Sequence, residues 1–333
     1  MTHKLFSTVY VRVSTHPAAG GGHLSRMLAL RLGLKGPVKW FIDPGTKSAF
    51  KERFSKTDEV FEEAMIDSIA KLQSIIVADT DSLIICDSYK VKYEQIAATN
   101  VPAVYFDDND VWLSSDNVMI VNCQPRAKGF KNCLSGPGFM PVDTKGIKQV
   151  TADFGSVSHP INCLISFGIV DSRNMTAVAL NALLSDERLK ENLQPVCVLG
   201  PHFQQCEIVE KLLSAFSQSK LIKNCQSVLE MPLNCDIAIG APGVSHAERL
   251  YAGIPTVLVP QSESHRALCM NWQDEGCALY ARPEPKHIAR QINALIANKF
   301  DRARAISREG QRVIDGKGAS RIIAELTRRG QGI

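Results

Sequence analysis

Several kinds of protein are excluded by what this chain lacks. No apolar run approaches the ~20 residues a membrane-crossing helix needs, and no CxxC pair or Cys/His cluster stands at zinc spacing. A disulfide-rich secreted module is equally unlike it, for several of the ten cysteines sit inside apolar runs. Cys86 in SLIICDSY, Cys163 in INCLISFG and Cys197 in QPVCVLGP occupy the positions of buried free thiols. The opening MTHKLFSTVYVRV has no charged-then-apolar leader layout, so a cytoplasmic setting is expected. Dense Lys/Arg stripes are missing too. A net charge of +4 and a pI near 8.5 suit a small anionic ligand rather than nucleic acid. No nucleic-acid partner, stable membrane insertion, metal or cofactor is expected, and the chain is expected to be a monomer or weak homo-oligomer.

What is present is an ordinary globular balance, 45% hydrophobic and 22% charged over 333 residues, enough for two domains. Short β-branched or aromatic runs alternate with amphipathic stretches, which implies parallel strands joined by helical crossovers. Strands are expected at Lys4–Val13, Val38–Ile42, Ser82–Cys86, Ala103–Phe106 and Val118–Val121, with helices at His23–Leu32 and Thr57–Gln73. Regularity lapses between Lys128 and His159, where a connection between domains fits. A second series follows, with strands at Asn162–Phe167, Pro195–Leu199, Asp236–Ile239, Thr256–Val259 and Ala278–Tyr280. Its helices are expected at Met175–Leu184, Gln205–Gln218, Ser245–Tyr251, Arg266–Glu275, Pro285–Asn298 and Ala305–Arg329. The fold class is therefore α/β, with two Rossmann-like domains, 1–140 and 141–333, facing a central cleft.

Ligands of open parallel sheets gather at the carboxyl ends of strands. The strongest candidate there is THPAAGGGHLSRMLALRLG, a Gly-rich turn between a strand and a helix. Its glycines, Gly20 and Gly22 among them, let the backbone approach a ligand, and the helix start offers free N–H groups to an anion. The GxGxxG spacing is not met, and no Gly-Lys-Ser/Thr follows, so neither the dinucleotide nor the Walker pattern applies. His23 stands at the helix start, where the dipole disfavours the imidazolium and leaves a base. A cap or packing role is the alternative. Arg26 lies one turn further on, able to hold a phosphate or orient a carboxylate.

Other strand ends bring Asp87, Ser88 and Tyr89, then Asp107 and Asp108, then Asn122. One such acid can orient an imidazole while another takes a sugar hydroxyl, with metal binding as the rival. In the second half, Gly168 turns ahead of Asp171, and Gly240-Ala241-Pro242-Gly243 leads into a helix carrying Val244 and Glu248. Backbone N–H groups in such a turn can bind a diphosphate, and Glu248 can take ribose hydroxyls. An exposed helix residue is the alternative for Glu248, and spacing leaves His246, Ser262 and His265 undecided.

RVSTHPAAGGGHLSR, from Arg12 to Arg26, resembles the opening of the UDP-sugar hydrolases of pseudaminic acid biosynthesis, which pair Arg-x-Asp with Gly-x-Gly-His-x-x-Arg. CDSY, FDD, VNCQ, GPGFMPV, SFGIVD, IGAPGVSHAERLYAGIP and DGKGASR resemble further family segments in the same order. The resemblance implies the GT-B architecture and hydrolysis, with inversion, of the anomeric bond of a UDP-2,4-diacetamido-2,4,6-trideoxyhexose, without metal. Carried over, it makes His23 the base and sets Tyr89 near the sugar, with Arg12 and Ser14 in the opening motif. Gly243 and Glu248 fall in the UDP segment. Two positions depart from the family. Its Asp is Ser14 here, and its Asn-Gln pair is Ser264-His265. A GT-B glycosyltransferase and a non-catalytic nucleotide-sugar binder are the alternative functions.

Overall fold

The computed structural model describes residues 6–16, 21–63, 65–76, 81–109, 115–149, 160–224 and 234–330. It divides into two compact units, Met1–Asp143 with Gly316–Ile333, and Thr144–Asp315.

The first unit is built on a seven-stranded sheet ordered β3-β2-β1-β4-β5-β6-β7. Its strands are β1 (Thr8–Val13), β2 (Val38–Ile42), β3 (Glu59–Glu62), β4 (Ser82–Asp87), β5 (Ala103–Phe106), β6 (Val118–Asn122) and β7 (Cys133–Ser135). Every pairing is parallel. The central strands are buried along nearly their whole length, so their unbroken apolar runs are what a sheet covered on both faces requires. Tyr10, Phe41, Leu72, Ile84, Cys86, Tyr105 and Ile120 form one core cluster. Burial pushes the Cys86 thiol up to about 12, as befits a packing residue. Crossovers include α1 (Gly22–Arg31), α2 (Lys47–Phe50), α3 (Met65–Ile76) and α4 (Tyr93–Ala97).

The second unit has a six-stranded sheet ordered β10-β9-β8-β11-β12-β13. These are β8 (Ile161–Ser166), β9 (Leu193–Val198), β10 (Lys220–Ile222), β11 (Ile237–Gly240), β12 (Thr256–Leu258) and β13 (Leu279–Tyr280), again all parallel. Helices α5 (Met175–Leu184), α6 (Glu187–Asn192), α7 (Cys206–Leu213), α8 (Val244–Ala252), α9 (Glu263–Asp274) and α10 (Pro285–Val313) belong to it. Helix α11 (Gly318–Gly330) closes the chain.

Three expectations are corrected. The stretch expected as one helix from Thr57 opens with β3, because EVFE alternates and its backbone completes a ladder on β2, with Phe61 stacked on Phe41. The helix expected from Ala305 to Arg329 is broken after Val313, where Gly316 adopts φ +77°. The last helix also clusters with the first unit rather than with the domain expected at 141–333. Gly318 fits this contact because a Cβ there would lie 2.2 Å from the Met140 carbonyl oxygen, and Arg321 Nη1 donates to Gly138 O at 2.9 Å.

Helix α10 carries a kink in which Asn298, Lys299 and Phe300 take φ of 50°, 54° and 65°. Left-handed backbone is costly for residues with a Cβ. Lys299 is exposed. Lys299→Gly is expected to raise stability by about 0.5–1 kcal/mol, read as a higher urea midpoint.

Candidate functional site

In the first sheet the strand order reverses between β1 and β4, the place where open α/β sheets bind ligands. Helix α1 leaves from the end of β1, and the register sets Val13 beside Asp87, the last residue of β4. The turn's Gly20 lies outside the described residues, while Gly21 is the N-cap and Gly22 the first residue of α1. No side chain caps this end, and its first turn has no acid. The negative charge comes from the neighbouring strand.

His23 and Arg26, one turn apart on α1, both reach Asp87. His23 Nδ1 lies 2.6 Å from Asp87 Oδ1. Arg26 grips the same carboxylate twice, Nε to Oδ2 at 2.5 Å and Nη2 to Oδ1 at 2.6 Å. The far side of the guanidinium donates to Asp108 at 3.0 and 3.2 Å. Asp108 also accepts from Tyr89 Oη and Gln124 Nε2, both at 2.9 Å. His23, Arg26 and Asp87 are buried, whereas Tyr89 is 62% exposed, its ring set edge-on to His23 with centroids 4.5 Å apart. The result is a chain of charge-assisted bonds with an imidazole at one end and an open phenol ring beside it.

Burial works to raise the Asp87 carboxyl, but Arg26 and then His23 outweigh it and hold it below the usual carboxylate range. Asp108 is depressed likewise, burial being overcome by Arg26, then Gln124 and Tyr89. An ionised Asp87 can only accept, so His23 donates from Nδ1, and in the neutral imidazole that tautomer leaves the lone pair on Nε2.

Behind the turn stands a second cluster. Arg12 is fully buried and donates to Asp43 Oδ1 at 2.7 Å and to Phe41 O at 3.2 Å. Asp43 Oδ2 takes the N–H groups of Thr15 and His16 at 2.8 and 2.9 Å. Arg12, expected at the ligand, is thus enclosed and, through Asp43, braces the chain at Thr15 and His16. Ser14 is buried as well, its Oγ 2.7 Å from Ser88 Oγ. Of the paired aspartates, Asp108 carries the bonds to Arg26, and Asp107 is buried with its N–H on Val121 O. Asn122 Oδ1 accepts from Gln124 N at 3.0 Å and so shapes the loop that delivers Gln124.

Burial opposes ionisation of Asp43 too, yet bonds from Arg12 and the Thr15 N–H depress it. Asp43, Asp87 and Asp108 all have folded values below their unfolded ones. Their stabilisation is therefore complete above the unfolded carboxylate range and is lost as pH falls through the folded values. Burial holds His246 neutral, so the urea midpoint is expected to ease down below about pH 6.5, and the loss of these three carboxylate contributions steepens the fall below about 4. Arg26→Met should flatten that slope.

The second sheet reverses between β8 and β11, and its candidates cluster there. Gly168, with φ +88°, turns the chain after β8. The register sets Gly240 beside Ser166, so the turn through Ala241 to Gly243 leaves from the adjoining strand end. Gly243 is exposed and caps α8 without a side-chain bond, Val244 opens the helix, and Glu248 lies one turn on, half-buried. Gln261, after β12, donates to Phe167 O at 2.8 Å and ties the third strand end to the first. Ser264 is exposed on the first turn of α9, its Oγ 2.9 Å from Ser262 Oγ. Asp171 supports the start of α5 beside its N-cap Asn174, accepting the N–H groups of Met175 and Thr176 at 2.8 and 3.0 Å.

Sequence reasoning passed over Asp43, Gln124 and Arg249. Asp43 follows a strand end, the signal that flagged the others. Among the described residues no group of three or more His, Cys, Asp or Glu could hold a metal, and no helix is long and apolar enough to cross a membrane.

No family model matches the chain. An uncharacterized protein of Methanocaldococcus jannaschii, MJ1062, is 37% identical over 108 residues, 32% of this chain and 22% of that protein. The spore coat polysaccharide biosynthesis protein SpsG of Bacillus subtilis is 24% identical over 168 residues, 50% of this chain and 49% of its own length. The chain thus spans about half or less of these curated relatives. Among solved structures, Acinetobacter baumannii MurG superposes with a TM-score of 0.64 at 13% identity, covering 96% of this chain and 99% of that one. The calicheamicin glycosyltransferase CalG4 gives 0.62 at 14% identity, covering 99% and 98%. Two parallel-sheet α/β units of seven and six strands, in the order found here, give this chain the GT-B glycosyltransferase fold.

Proposed function

We propose that this chain is an enzyme acting on a nucleotide sugar, and that it hydrolyses the anomeric C–O bond of a UDP-2,4-diacetamido-2,4,6-trideoxyhexose with inversion. The observation that carries the reading is the His23–Asp87 contact of 2.6 Å at the uncapped start of α1. With Nδ1–H committed to Asp87, Nε2 is free to take a proton from water. That water attacks the anomeric carbon, the bond to the diphosphate breaks, and its electron pair leaves with UDP. A single base acting on the face opposite the leaving group inverts the centre. The imidazolium that forms lies against Asp87, which stabilises it. Tyr89, exposed beside His23 and held by Asp108, is assigned to the sugar. In the second unit the start of α8 at Gly243 is assigned to the diphosphate and Glu248 to the ribose, with Gly168, Ala241, Val244 and Ser264 around them.

The test is UDP release from candidate UDP-sugars in the presence and absence of sugar or lipid acceptors. Release without acceptor is expected. Release only with acceptor would make the chain a transferase, and tight UDP-sugar binding with no release at all would make it a binding protein.

A further inference from the structure

Arg249, in the last turn of α8, is wholly buried, and burial draws its guanidinium down to about 10 against the pull of Glu248. Only one of its three nitrogens is engaged. Nη2 donates to Ala241 O at 2.7 Å, while Nε and Nη1 have no hydrogen-bond partner. The group lies directly under the Gly240–Gly243 turn, for a Cβ built on Gly240 would stand 2.9 Å from Nη1 and 3.1 Å from Cζ. The outer side of the same turn is open, since a Cβ on Gly243 would meet nothing within 4 Å. Close by in sequence, His246 is fully buried against Trp272, and burial followed by Arg249 drives it toward the neutral form. A charge buried with so few bonds weakens a fold unless something gains from it.

We propose that Arg249 is a positioning residue for a diphosphate bound at the start of α8. It holds the Ala241 carbonyl inward, which turns the neighbouring N–H groups outward, and it adds positive charge beneath an uncapped helix end that has no acid in its first turn. This rests on the nucleotide assignment above for the identity of the ligand, but not for its charge.

The test is calorimetric titration of the full chain, wild type, Arg249→Met and Arg249→Lys, with inorganic pyrophosphate, UDP and uridine, alongside thermal midpoints. Arg249→Met is expected to weaken pyrophosphate and UDP by about tenfold or more, to leave uridine unchanged, and to keep or raise the midpoint. Arg249→Lys should recover most of the loss. A merely structural arginine would lower the midpoint and weaken uridine as much as UDP, which would overturn the proposal. So would wild-type affinity for pyrophosphate in Arg249→Met, or a wild type that binds neither anion. Should Arg249→Met fail to fold, Arg249→Gln, which keeps a donor for Ala241 O without the charge, is expected to weaken pyrophosphate and UDP by a smaller factor and leave uridine unchanged, and wild-type affinity for pyrophosphate in it would overturn the proposal. A wild type that takes pyrophosphate but not UDP, with the loss in Arg249→Met, sustains this proposal while the nucleotide reading fails.

Discussion

His23→Ala is expected to lower the rate of UDP release by about 10²- to 10⁴-fold, the contribution typical of a positioned general base. Substrate affinity should change little, because in the proposed reaction the side chain acts on water rather than on the sugar. Asp87→Asn should follow in the same direction. An amide can donate to Nδ1, which would favour the tautomer with its proton on Nε2 and spoil the base. Steady-state assays at saturating UDP-sugar measure both, and a loss under about threefold for His23→Ala would remove it from this role.

The largest effect on stability is expected at Arg26. Its guanidinium bridges two carboxylates, Asp87 and Asp108, and it lies over the Phe106 ring with Cζ 5.1 Å from the centroid. Burial alone would weaken its charge, but Asp108 and Asp87 outweigh that and raise its pKa. Arg26→Met leaves both carboxylates without their cation, a change that costs about 3–5 kcal/mol for a buried pair. Urea unfolding at pH 7 measures it. The deficit should shrink on acidification, since protonation relieves the abandoned carboxylates. Arg26→Lys should restore only part of the loss, because one ammonium cannot serve both carboxylates in a fork. A variant as stable as wild type at pH 7 would contradict the network described here.

The site is legible in sequence to the extent that it follows from strand ends. Asp87 and Asp108 could be named because buried runs such as SLIIC and AVYF must end where the sheet meets its loops, and the same rule selects the Gly168 and Gly240 turns. Which way each residue faces depends on partners distant in sequence. Arg12 sits in the resemblance motif, yet Asp43, 31 positions later, draws it into the interior. Asn122 was visible as a polar strand end, while Gln124, two residues on, is the side chain that reaches Asp108. The β3 strand was hidden because its four residues run straight into an amphipathic helix, and only the ladder on β2 separates them. Arg249 carried no sequence signal, being an arginine on a helix with nothing to announce its burial. The return of α11 to the first unit depends on Gly318 meeting Met140, a contact no local pattern encodes.

The central claim is that water, activated by His23, attacks carbon rather than phosphorus. Hydrolysis of a UDP-sugar in ¹⁸O-labelled water, followed by mass spectrometry and by NMR of the sugar first released, tests it directly. The label is expected on the anomeric oxygen of a sugar of inverted configuration, with none in UDP. Label in the β-phosphate of UDP, or retention at the anomeric centre, would contradict the account.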